Sequence, residues 1–170
     1  MRIITGSARG KRLVTPQGTD VVRPTPERVK EGLFSAIQFD IEGRRVLDLF
    51  AGSGQLGLEA LSRGAESAVF VDTSEVSLAA VKQNIESTGL SGARAVRSDY
   101  ASFAASCREK FDIAFLDPPY SACAPIMSDY GVIICEHPEN VVLSEEIAGF
   151  SAARTYRYGK VCVTLYRRKD

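Results

Sequence analysis

Apolar and polar positions along the 170 residues switch repeatedly between a helical and a strand period, and the switches mark out the elements. Residues 1–24 are basic and punctuated by Gly and Pro, so they read as a hairpin or arm. Val29, Leu33, Phe34 and Ile37 then recur at helical spacing, which predicts a helix starting near Thr25, with Thr25 as its cap and Pro26 in its first turn. Alternation follows: strand 45–50 and helix 55–63, strand 67–72 and helix 74–88, strand 93–97 and a helix near 100–108, then strand 111–116. A strand at 131–136, a short helix near 141–147, and a hairpin of 151–158 with 161–167 about Gly159-Lys160 complete the pattern. Strand–helix alternation implies right-handed crossovers and a parallel sheet covered on both faces. The expectation is a doubly wound α/β domain over 25–170, mostly parallel with one antiparallel strand from the C-terminal hairpin, preceded by the arm 1–24.

One connection is too short for this scheme. Parallel neighbours need a crossover of about a dozen residues or more, yet nine residues, Ser121–Asp129, separate Tyr120 from the next strand. Nine residues can span the return but cannot also form a covering helix. This predicts either an unusually short crossover or a break between Tyr120 and Asp129 where residues are missing, and the geometry favours the break.

The composition, 45% hydrophobic and 25% charged, suits one globular domain. No apolar run approaches the roughly 18–20 residues of a membrane span, and the opening lacks a signal peptide's apolar core, so a cytoplasmic protein without membrane partners is expected. Net charge is zero but unevenly spread. Residues 1–31 carry seven Lys/Arg against three Asp/Glu, residues 154–170 six against one, and the middle eight against seventeen. Two basic ends around an acidic centre point to an anionic partner, and both ends are expected to flank one cleft. Four cysteines without a C-x-x-C pair, and a single histidine, predict neither disulfide nor metal site.

The strongest local signal is Val46-Leu47-Asp48-Leu49-Phe50-Ala51-Gly52-Ser53-Gly54-Gln55-Leu56-Gly57. A buried strand runs into a glycine loop and then a helix, an arrangement that brings backbone close to a ligand. Gly52, Gly54 and Gly57 fit G-x-G-x-x-G, which dinucleotide enzymes share. Asp72 ends the next strand, where a carboxylate can accept from both ribose hydroxyls of NAD or of S-adenosylmethionine alike. Asp99 closes the third strand before Tyr100, as an acceptor for an adenine amino group, as a helix cap, or as both. Asp117-Pro118-Pro119-Tyr120 ends the fourth strand. Its prolines bias the backbone towards extended geometry, so the Asp117 carboxylate and Pro118 carbonyl can converge on an exocyclic amine while Tyr120 stacks on its ring.

Asp117–Tyr120 together with the Asp48–Gly54 loop resembles the amino-group methyltransferases that use S-adenosylmethionine. Arg23-Pro24-Thr25-Pro26-Glu27-Arg28-Val29-Lys30-Glu31-Gly32-Leu33-Phe34 and Glu59-Ala60-Leu61-Ser62-Arg63-Gly64-Ala65 sharpen the likeness. So do Met1–Gly6, Arg9-Gly10 and Tyr158-Gly159…Tyr166. Nearly the whole chain is similar to the bacterial small-subunit ribosomal RNA guanine-N2 methyltransferases, named for guanine 966 of 16S rRNA, although the stretch after Tyr120 is shorter than that family's helix. The resemblance implies a Rossmann-like methyltransferase fold, S-adenosylmethionine as cofactor, and a monomer acting on 16S rRNA, free or within an assembled or assembling subunit. It implies cofactor contacts from Thr25, Arg28, Asp48, Phe50, Ala51, Gly52, Ser53, Gly54, Asp72, Thr73, Asp99 and Tyr100. Asp117, Pro118, Pro119 and Tyr120 would hold the target base, and Arg2, Arg9, Lys11, Arg12 and Arg23 would hold RNA. Arg28 also reads as a plain surface charge. The rivals are an amino-methyltransferase of another RNA or DNA base, a nicotinamide-dependent oxidoreductase, for which His137 lacks partner residues, and a non-catalytic RNA-binding domain.

Overall fold

In the computed structural model, which describes residues 1–17, 24–117 and 121–168, the alternation becomes one eight-stranded sheet with helices on both faces. In chain order the elements are α1 (Glu27–Ala36), β1 (Arg45–Leu49), α2 (Gln55–Ser62), β2 (Ser67–Asp72), α3 (Glu75–Thr88), β3 (Ala93–Arg97), α4 (Tyr100–Ser106) and β4 (Phe111–Leu116). A 3-10 helix, Ser121–Ile126, then leads into β5 (Met127–Pro138), β6 (Glu146–Ile147), β7 (Phe150–Tyr158) and β8 (Val161–Arg168). The strand order is β3-β2-β1-β4-β5-β8-β7-β6, parallel from β3 to β5, with β8 antiparallel to β5. Both hairpin strands join the sheet, and two-residue β6 extends its edge.

Successive strand residues point to opposite faces, and this divides the core in two. Val46, Phe70, Ile113, Phe115, Val132 and Ile134 pack beneath α1, α2 and α3. Leu47, Leu49, Val69, Val71, Ile133 and Cys135 pack against Phe103 of α4, against Cys123 and Ile126 of the 3-10 helix, and against Phe150 and Tyr166.

Two expectations need correction. Thr25 does not cap α1: Pro26 occupies the cap position, without a side-chain cap bond, and the Thr25 hydroxyl donates instead to Glu136. No helix forms near 141–147, where turns lead to β6. The crossover after β4 is the short one of the two readings, a 3-10 helix whose six residues advance about 12 Å at ~2.0 Å each. That length returns most of the way along β4, and the buried Cys123, Ala124 and Ile126 supply the cover that a longer helix would give.

The N-terminal hairpin pairs Arg2 with Arg12 and sends Ile3, Ala8 and Leu13 into the core. A buried ion pair anchors it. Lys30 Nζ lies 3.4 Å from Glu59 Oε2 and donates to the Arg2 carbonyl, while Glu59 accepts from the N–H groups of Ile4 and Thr5 and from Arg63. Burial pulls the Lys30 ammonium below the usual lysine range although Glu59 opposes the change. The hairpin tip docks on Ser62, at the end of α2 away from the glycine loop. Arg167 pairs with Asp40 and lies opposite Val132, near the start of β5. The two basic ends therefore do not gather as wholes around the glycine loop: Arg9 and Arg167 sit towards the strand ends away from it.

Candidate functional site

The chain order reverses between β1 and its neighbours β2 and β4, and at such a switch the loops after adjacent strands turn opposite ways and leave a crevice. A cleft of about 810 Å³ opens there. The expected residues Thr25, Asp48, Phe50, Ala51, Gly52, Ser53, Asp72, Thr73 and Asp117 all line it.

Carboxylates hold the glycine loop from within. Asp72 Oδ2 accepts from Gly52 N–H at 3.0 Å and Oδ1 from Ser74 N–H at 2.8 Å, tying the loop after β1 to the end of β2. Buried Asp48 accepts from Gly57 N–H at 3.0 Å, in the first turn of α2. Burial pushes the Asp48 carboxyl up to about 7, with a smaller upward push from the charge of Asp72. Gly54, at φ 76, does not line the cleft; it caps α2 and, like Gly57, leaves room for the Phe70 ring. Phe50 adopts φ 62, a left-handed conformation that costs a non-glycine residue roughly 1–3 kcal/mol. The residue is 43% exposed and lines the cleft, and the Tyr100 ring lies 5.9 Å from its ring, outside the lining itself.

Towards the other side of the sheet stand the ends of β4 and β5. Asp117 is exposed, yet burial of its surroundings raises its carboxyl above the usual range. Glu136 accepts from the Thr25 hydroxyl at 2.6 Å, and its carboxyl is raised by burial and further by the charge of Asp117. Gln55 donates through Nε2 to the Thr25 carbonyl at 3.2 Å. Behind the loop, buried Asn84 accepts from Val14 N–H and donates to the carbonyls of Val14 and Ser53, bringing Thr15–Gln17 to the cleft.

Other expected residues lie elsewhere. Arg28 is exposed on α1, away from the cleft wall. Asp99 caps α4 by accepting from Ser102 N–H at 2.9 Å, and hydrogen bonds from the Ser102 side chain and then its backbone lower the carboxyl's pKa. Arg2, Arg9, Lys11 and Arg12 are exposed on the hairpin, Arg2 beside Glu27 at 3.5 Å. Arg23, Pro118, Pro119 and Tyr120 lie outside the described residues. Sequence reasoning missed Glu136, Gln55 and Thr15–Gln17. Glu136 had a readable signal, an acid ending an apolar strand as Asp72 and Asp117 do.

The electrostatics of the cleft are one-sided. Asp48, Asp72, Asp117 and Glu136 line it, and no Lys, Arg or His does so among the described residues. The N–H groups of Ala51, Gly52, Gly54 and Gly57 already have protein acceptors. Such a cleft favours a cationic ligand and repels the pyrophosphate of a dinucleotide.

A family profile described as "Conserved hypothetical protein 95" matches residues 1–167. The chain is 39% identical to the Bacillus subtilis protein YlbH over 184 residues, covering 99% of this chain and all of that one. It is 33% identical to the Escherichia coli ribosomal RNA small subunit methyltransferase D, over 99% of this chain and 90% of that protein. The solved structure of Escherichia coli yhhF superposes with a TM-score of 0.83 at 32% identity, over 99% and 98% of the two chains. The YlbH alignment is longer than this chain's 170 residues, so that relative carries residues without counterparts here.

Proposed function

The chain belongs to the conserved hypothetical protein 95 family, and from that premise we propose that it transfers a methyl group from S-adenosylmethionine to the N2 amine of a guanine in small-subunit ribosomal RNA. The observation that carries the cofactor reading is the cleft with four acidic side chains and no cation among its described lining residues. A ligand bearing both a sulfonium and an ammonium complements that charge. When bound, this cofactor supplies an activated methyl group; the chain's residues supply position. Asp72 suits the ribose hydroxyls and the Phe50–Tyr100 ring pair the adenine face, while Gly52, whose missing side chain leaves open space, lets the ligand lie against the loop.

Asp117 ends β4 next to this site. An amine conjugated to a purine ring is a poor nucleophile, and a carboxylate accepting one of its N–H bonds stabilises the positive charge that builds on nitrogen. Positioning carries much of the rate, and the base must leave its stack to reach the cleft. Arg157 and Lys160, at the β7–β8 turn, stand beside the end of β5 that carries Glu136, with Arg157 paired to Glu139. They are suited to phosphates.

The test is methylation of ribosomal RNA by wild type and Asp117→Ala, with the modified nucleoside identified by mass spectrometry. N2-methylguanosine from wild type, none from the variant, and unchanged S-adenosylhomocysteine affinity in both are expected. Near-wild-type turnover by Asp117→Ala overturns the assignment of Asp117, and methyl on another base overturns the guanine-N2 reading.

A further inference from the structure

Gln55 is the first residue of α2, 5% exposed, and lines the cleft. Its amide is half used. Nε2 donates to the Thr25 carbonyl, and Oε1 is buried without a partner among the described residues. The amide orientation follows from chemistry: the carbonyl of Thr25 can only accept, so nitrogen must face it and oxygen is left over. An unsatisfied buried acceptor is rare and strongly disfavoured. The surroundings are fixed from both sides, since Thr25 is held in turn by Glu136 at the end of β5.

We infer that Gln55 Oε1 accepts a hydrogen bond from the α-ammonium at the methionine end of the bound cofactor, an inference that rests on the cofactor reading above. A ligand whose ribose meets Asp72 on β2, and whose adenine lies along Phe50 and Tyr100, points its other end across β1 towards Gln55, Thr25 and Glu136. That end carries a sulfonium, a carboxylate and an ammonium. The sulfonium has no N–H or O–H, and the carboxylate only accepts. The ammonium alone can donate to Oε1, and the nearby Glu136 favours its charge. Gln55 is thus a cofactor-positioning residue that distinguishes an amino-acid-bearing nucleoside from a bare one.

Calorimetry of wild type, Gln55→Met and Gln55→Asn tests this with S-adenosylhomocysteine and with its analogue lacking the α-amino group. Methionine keeps the volume without the acceptor, and asparagine withdraws the amide by one methylene should Gln55→Met fail to fold. A charge-assisted hydrogen bond predicts a loss of about ten- to a hundredfold for S-adenosylhomocysteine in either variant. For the amine-free analogue, wild type and variants should bind equally. Equal losses for both ligands, or no loss for either, overturn the role of Gln55 while leaving the cofactor reading intact. A folded wild type that binds neither ligand overturns the cofactor reading and this inference with it.

Discussion

Asp72 binds its own loop before it can meet any ligand, because its two oxygens take the N–H groups of Gly52 and Ser74. Asp72→Ala therefore removes a ribose acceptor and loosens the glycine loop together. S-adenosylhomocysteine affinity should fall by at least the ~1.5–3 kcal/mol of one charged hydrogen bond; unchanged binding in calorimetry would take Asp72 out of the site. Asp48 offers a different test. Its carboxyl is raised to about 7 by burial, whereas in the unfolded chain it titrates near the ordinary value of 3.8. The folded state then holds the proton over a range where the unfolded state has lost it, so this group's contribution to stability falls as pH rises from about 4 to 7. Asp48→Asn keeps an oxygen for Gly57 N–H without the buried charge. Its melting temperature should exceed that of wild type at pH 8, with the advantage shrinking by pH 5; a constant difference across that range would contradict the proposed ionisation.

At the scale of elements, α1, α2 and the N-terminal hairpin are joined through one buried ion pair, Lys30 with Glu59. Removing Lys30 leaves buried Glu59 with Arg63 as its remaining counter-charge, at a cost of up to the ~3–5 kcal/mol of a broken buried pair. Lys30→Met should lower denaturant stability by an amount of that order and speed hydrogen exchange at Ile3 and Leu13, whose N–H groups bond within the hairpin. Stability within about 1 kcal/mol of wild type by the same titration would show that the pair does not hold the hairpin. Helix α2 meets the sheet closely at Gly57, where an added Cβ would fall 2.4 Å from the Phe70 ring. Gly57→Ala should cost roughly 1–3 kcal/mol through overpacking, read as a lower urea midpoint with an unchanged slope.

For the molecule as a whole, the charge distribution predicts where RNA enters. Arg157 and Lys160 lie beside the end of β5 that carries Glu136, whereas Arg9 and Arg167 lie towards the opposite strand ends. Neutralising Arg157 and Lys160 should weaken RNA binding and flatten its logarithmic salt slope by about 0.7–0.9 for each phosphate that is no longer neutralised. Neutralising Arg9, Lys11 and Arg12 measures the hairpin's share, and an unaltered slope there would show that the hairpin does not touch RNA. Periodicity and turn chemistry are local, and what is local was legible in the sequence: the alternating strands and helices, the glycine loop, and the acids Asp72 and Asp117 at strand ends. Glu136 follows the same rule and could have been read with them. The shortness of the crossover was legible but its form was not, because Pro125 and a six-residue length conceal a 3-10 turn whose buried side chains matter only once a sheet lies beneath them. Nor could the surroundings of Gln55 be read, since Thr25 precedes it by 30 positions and Thr25 and Glu136 are 111 apart. Contacts between residues so distant along the chain leave no period in the sequence. Only the tertiary structure, by bringing the ends of β1, β4 and β5 to one cleft, decides which acceptors are satisfied and which await a ligand.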